Sequence, residues 1–90
     1  MLHTILEVAE VVSEAAATNE AALAGDFDEA RFRARLTASK ASEAGLDSVA
    51  LAAAQLVDVL GPVGSAPSPG LGAAMVRIAD ELEAVGFDPR

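Results

Sequence analysis

Apolar residues recur every three or four positions along most of this chain, and no alternating strand pattern appears. The spacing predicts four amphipathic helices. The first spans about residues 2–24, with Leu2, Ile5, Leu6, Ala9, Val12 and Ala16 on one stripe. Glu7, Glu10 and Glu14 fall on its opposite side and read as a solvated acidic face. The second spans residues 27–44 and aligns Phe27, Ala30, Ala34, Ala38 and Ala41. Phe32 and Leu36 sit roughly 140–180° away from that stripe, at about 100° per residue. A helix with two apolar faces is either central in its bundle or touches a second molecule. The third spans 49–60, on Val49, Ala52, Ala53, Leu56 and Leu60. The fourth spans 71–85, on Leu71, Ala74, Met75, Ile78, Leu82 and Val85.

The breaks between these segments have their own chemistry. Gly25 suits the left-handed residue that closes a helix. Asp26 with Glu29 three residues later forms a capping-box-like pair that opens the next one. Gly45 repeats the stop, and Asp47 or Ser48 is the expected cap of the third helix. Residues 61–70 hold three prolines and three glycines, so this stretch reads as the one flexible connection. Gly86 is the expected stop of the fourth helix, and Pro89 prevents its resumption. Two short turns and one longer loop specify an all-α, antiparallel, up-down-up-down four-helix bundle forming a single domain over residues 1–90.

Composition then narrows the function. Twenty-one residues are alanine, and cysteine, tryptophan and tyrosine are absent. That excludes a thiolate metal site, a cysteine nucleophile, a disulfide scaffold and an aromatic base-stacking platform. Six basic against fourteen acidic side chains give a net charge of −8, which opposes nucleic-acid binding. No run of eighteen apolar residues is present, so no membrane span is expected. The start reaches Glu7 without a basic region and does not read as a signal peptide, which points to the cytoplasm. His3, the lone histidine, reads as a terminal side chain rather than a metal ligand or a catalytic base. No catalytic residue, metal or cofactor is expected, and the chain does not read as an enzyme.

Charge is unevenly placed. Residues 1–30 carry seven acids and no Lys or Arg, while Arg31, Arg33, Arg35 and Lys40 fall within ten positions. Two readings stay open: internal balance against the acidic helices, or a docking patch for an acidic partner.

The second helix and its surroundings also resemble a known family. Ala21-Ala22-Leu23-Ala24-Gly25-Asp26, then the stretch from Arg31 to Ala41, then Gly45-Leu46-Asp47-Ser48-Val49-Ala50-Leu51-Ala52, look like histidine phosphotransfer domains. Those are four-helix bundles whose second helix presents a phosphoacceptor histidine. The resemblance places that histidine on Arg35, the family's following lysine on Ala38 and its small residue on Ser39. Arginine has no imidazole lone pair and cannot accept a phosphoryl group. The resemblance therefore implies a degenerate, non-catalytic member that docks to or inhibits a receiver domain or kinase of a signalling pathway. It implies a contact surface on the Arg31, Arg35 and Ser39 side of the second helix, facing the acidic pocket of a receiver domain.

Two alternatives accompany this reading. Gly45-Leu46-Asp47-Ser48-Val49 is similar to the site of acyl and peptidyl carrier proteins, which implies a phosphopantetheine arm on Ser48. Against it, carriers keep a long irregular loop before the serine, where this chain reads as a capped, charged helix. The other alternative is a self-associating bundle, with Phe32 and Leu36 in a homodimer contact.

Overall fold

The computed structural model describes residues 5–85, with side chains from Glu7 onward; the expected helix start at Leu2, together with His3, Gly86 and Pro89, lies outside the described residues. Four α-helices and no strand are present among them: α1 (Ile5–Leu23), α2 (Phe27–Glu43), α3 (Asp47–Leu60) and α4 (Leu71–Ala84). Each helix packs on the next in sequence, α1 on α2, α2 on α3 and α3 on α4, as short antiparallel connections require. The bundle is the expected up-down-up-down one, but its closing seam is thin. Among the described residues α4 lies along α3 and only grazes α1.

The two short turns have one shape. The Gly25 amide donates to the Ala22 carbonyl and the Asp26 amide to Ala21 (3.1 and 2.9 Å); the Gly45 amide donates to Ser42 and the Leu46 amide to Ala41 (3.1 and 2.8 Å). This is the Schellman pair of bonds, and it needs the left-handed backbone that glycine adopts freely, φ 78° at Gly25 and 77° at Gly45. After the first turn Asp26 caps α2, accepting from the Glu29 amide. After the second turn the outcome differs from expectation. α3 starts at Asp47, two residues early, and its N-cap is Leu46, with no side-chain cap bond. The turn fixes this register. The Leu46 amide is already committed to Ala41, and its side chain is buried in the core, 3% exposed. Asp47 and Ser48 thus lie inside the first turn of α3, not at its cap.

The stripe on α3 is buried as the spacing predicts, and those on α2 and α4 are so in part, with Phe27, Ala38, Leu71, Ala74 and Met75 half-buried against the core. Val49, Ala52, Ala53, Leu56 and Leu60 are all core residues, as are Ala30, Ala34, Ala41, Ile78 and Leu82. Val85 is an exception, 42% exposed at the end of α4. α1 is rolled relative to expectation. Its buried face is Val11, Ala15, Thr18, Ala21 and Ala22, while Ala9 and Ala16 are exposed. Apolar residues run nearly all the way around this helix, so hydrophobicity alone does not select a face. Pairing with α2 selects it.

That pairing is close because it is built on small residues. Thr18 and Thr37 are both buried, with their hydroxyls 3.5 Å apart across the α1–α2 contact. Each hydroxyl donates to the carbonyl one turn back, Thr18 to Glu14 (2.7 Å) and Thr37 to Arg33 (2.9 Å). A hydroxyl has one proton, so both are spent on the backbone. The contact between the two threonines is therefore packing, and it needs no third polar partner.

The 61–70 connection is tied down. The Ser68 amide donates to the Val59 carbonyl (2.8 Å), folding the segment back over the end of α3. Ser65 closes a local turn through its amide and its hydroxyl, both donating to the Pro62 carbonyl. These bonds, and a buried arginine that reaches the same segment, fold the connection against the end of α3.

Candidate functional site: the outer face of helix α2

α2 is the middle helix, covered by α1 on one flank and by α3 on the other. Its four cations consequently meet three different fates. Arg31 lies on the α3 flank and is 1% exposed. Its Nε donates to the carbonyls of Gly61 (2.9 Å) and Leu60 (3.3 Å). Its Nη2 donates to Leu60 (2.8 Å) and to Ser65, and its Nη1 pairs with Asp28 (2.6 Å). The guanidinium thus caps the carbonyl end of α3, where the helix dipole favours a cation, and clamps the loop that follows. Arg31 is not part of an exposed docking patch; the expectation that placed it there is corrected by this burial.

Arg33 and Lys40 lie on the α1 flank. Arg33 pairs with Glu14 (3.1 Å) and Glu29 (2.8 Å), and Lys40 pairs with Glu14 (3.0 Å) and more loosely with Glu10 (3.8 Å). For these two residues the balance reading holds. Glu14 is the hub, 13% exposed rather than solvated. The Lys40 hydrogen bond is the largest cause holding its carboxyl below the ordinary range; burial opposes the shift and Arg33 adds to it. Glu14 in turn raises Lys40, and Glu29 and then Glu14 raise Arg33.

The sign of the linkage follows. A carboxyl depressed in the folded state contributes stability above its unfolded pKa and loses it as pH falls through the folded value. Lys40, raised, contributes below its unfolded pKa and loses its share as pH rises through the folded value. Glu14→Gln should therefore flatten the acid side of the stability-against-pH curve, measured by urea unfolding between neutral pH and the acid limb. Acid limbs of equal slope in variant and wild type would show that the Glu14 network contributes nothing.

Arg35 is exposed, and among the described residues it is the one cation outside any ion pair. Phe32 (52% exposed), the half-buried Leu36 and the exposed Ser39 share its outer surface of α2. The Arg33 guanidinium stands 5.6 Å from the centre of the Phe32 ring, a cation–π distance that steadies the ring in the open. Phe32 and Leu36 belong neither to the core nor to the residues packed against it. The face therefore offers an aromatic anchor, a branched aliphatic side chain and a free planar cation within about two turns.

The remaining candidates are placed elsewhere. Ser48 is exposed in the first turn of α3, behind a three-residue turn and a continuous α2. The carrier resemblance implies a long irregular connection at that point, and α2 occupies it. Among the described residues no group of three or more His, Asp or Glu side chains is arranged to hold a metal ion, and no helix is long and apolar enough to cross a membrane.

Sequence reasoning missed the buried role of Arg31, although a signal was present. Phe27, Arg31, Ala34, Ala38 and Ala41 are spaced four, three, four, three, which is an unbroken heptad seam with arginine at a seam position. No protein-family model matches this chain, and no curated protein or solved structure matches it either.

Proposed function

We propose that this chain is a non-catalytic docking module of the cytoplasm that binds an acidic protein surface with the outer face of α2. The observation that carries the reading is Arg35, exposed and without an acidic partner on a protein of net charge −8. On such a molecule a solvated guanidinium between Phe32 and Leu36 is open to a partner's carboxylate, with apolar contact available on either side. Aromatic residues and arginine are the side chains most often found at the energetic centre of interfaces. The guanidinium fork matches a carboxylate in two bonds at once, which suits an acidic pocket.

The resemblance to phosphotransfer domains supports a receiver domain as the partner, because it sets Arg35 where those domains present histidine. A receiver pocket gathers carboxylates, and a fixed cation complements it without accepting phosphate. The module then blocks or buffers the receiver and does not relay through it.

Calorimetric titration of receiver domains with the purified chain tests this. Binding should weaken at least ~10-fold for Arg35→Glu and for Phe32→Ala, the size expected of central interface residues. Incubation with a phosphorylated receiver should leave the chain without phosphate. A receiver that binds wild type and Arg35→Glu equally well removes the face from the reading, and phosphate appearing on the chain removes the non-catalytic part.

A further inference from the structure

We infer that the outer face of α2 is self-complementary and pairs with the same face of a second copy, antiparallel, about a two-fold axis at Phe32. The charge pattern carries this. Asp28 lies four residues before Phe32, and Arg35 lies three residues after it. At 1.5 Å per residue these side chains leave the helix roughly 6 Å below and 4.5 Å above the phenylalanine. All three are on the exposed side of the helix. A two-fold axis at Phe32 reverses the second helix. The Arg35 of each copy then meets the partner's Asp28 at nearly the same height, and the contact is made twice. The two Phe32 rings meet at the centre.

The local structure leaves room for this. The Asp28 side chain is 64% exposed, and only its Oδ1 is engaged by Arg31, so Oδ2 is open to a second cation. One further turn out, Ser39 falls over the partner's Gly25, beside which there is open space and no side chain to collide with. A single helix face buries less than the roughly 800 Å² per partner of a standard interface, so the dimer is weak and concentration-dependent. Pairing hides Arg35 and Phe32, so the dimer and an acidic partner exclude each other. That masking rests on the docking reading above; the dimer itself does not.

Sedimentation velocity from about 10 μM to about 1 mM, the range in which a weak contact populates, tests it without any partner. The weight-average mass of the wild type should climb from 9.1 kDa towards twice that value. Phe32→Asp and Arg35→Glu, both at exposed positions, should each stay at the monomer mass. Asp28→Lys should stay monomeric too, since it sets two cations against each other. An equimolar mixture of Arg35→Glu and Asp28→Lys chains should associate again, because both contacts become attractive. A wild type that stays monomeric throughout overturns the inference, as does a Phe32→Asp or Arg35→Glu chain that still dimerises. Far-UV circular dichroism checks Asp28→Lys. If that chain is unfolded, the inference stands or falls on the other two variants and on loss of the wild-type dimer with added salt.

Discussion

Arg31→Ala should destabilise the protein by about 3–5 kcal/mol, the cost of breaking a buried, fully hydrogen-bonded charge. The guanidinium serves three carbonyls, those of Leu60, Gly61 and Ser65. Alanine leaves the Leu60 carbonyl under cover without its donors, removes the cation from the end of α3 and opens a cavity. A domain of this size has a total stability on the order of 5–13 kcal/mol. The melting temperature should therefore fall by at least ~12 °C, at 4–8 °C per kcal/mol. Arg31→Lys should lose roughly half as much, because one ammonium keeps the charge but cannot span three acceptors. Arg35→Ala, one turn along and in solvent, should stay within about 0.5 kcal/mol. Thermal and urea unfolding followed at 222 nm measure all three. An Arg31→Ala chain as stable as Arg35→Ala would show that the clamp is ornamental.

That contrast between two arginines four residues apart marks where the sequence was readable. The stripe on α3 was legible because Asp58 and Gln55 mark the side opposite it, even though Leu51 and Ala54 also lie off the stripe and are exposed. The placement of Phe32 and Leu36 away from the main stripe followed from the same arithmetic on α2, whereas the surface with Arg35 and Ser39 was implied by the family resemblance. α1 was not legible, because a helix that is apolar nearly all around gives periodicity several equivalent phases. Its orientation is set by partners nineteen and twenty-six residues away, Arg33 and Lys40 on Glu14. The Leu46 cap was hidden for a related reason. Asp47 and Ser48 are good caps by local preference, but the Schellman bonds and the buried Leu46 side chain fix the helix start upstream of both. Arg31 was misplaced because a charged residue is read as solvent-facing by default, and carbonyls at the end of α3 and in the loop after it are too far along the chain for any local rule to see.

Leu56→Ala should cost about 2–5 kcal/mol, in the upper part of that range. Leu56 is fully buried, and with Leu60 it is the largest apolar side chain without exposure among the described residues. The core is otherwise mostly alanine, which has no side-chain freedom with which to fill a hole. The helix backbones would have to move instead, and the α1–α2 contact is already close, with Thr18 and Thr37 hydroxyls 3.5 Å apart. The cavity should therefore persist, and its volume adds to the lost transfer energy. α3 is also the element that joins α4 to the rest, since among the described residues α4 barely touches α1. Loss of Leu56 should loosen α4 first, seen as faster amide exchange along Leu71–Ala84 before global unfolding. Leu51→Ala on the same helix, where the leucine is 55% exposed, should change stability by no more than about 0.5 kcal/mol. Urea unfolding gives the two values side by side. A Leu56→Ala cost below about 1 kcal/mol would mean that the helices collapse freely around the gap, against a core built on fixed backbone contacts.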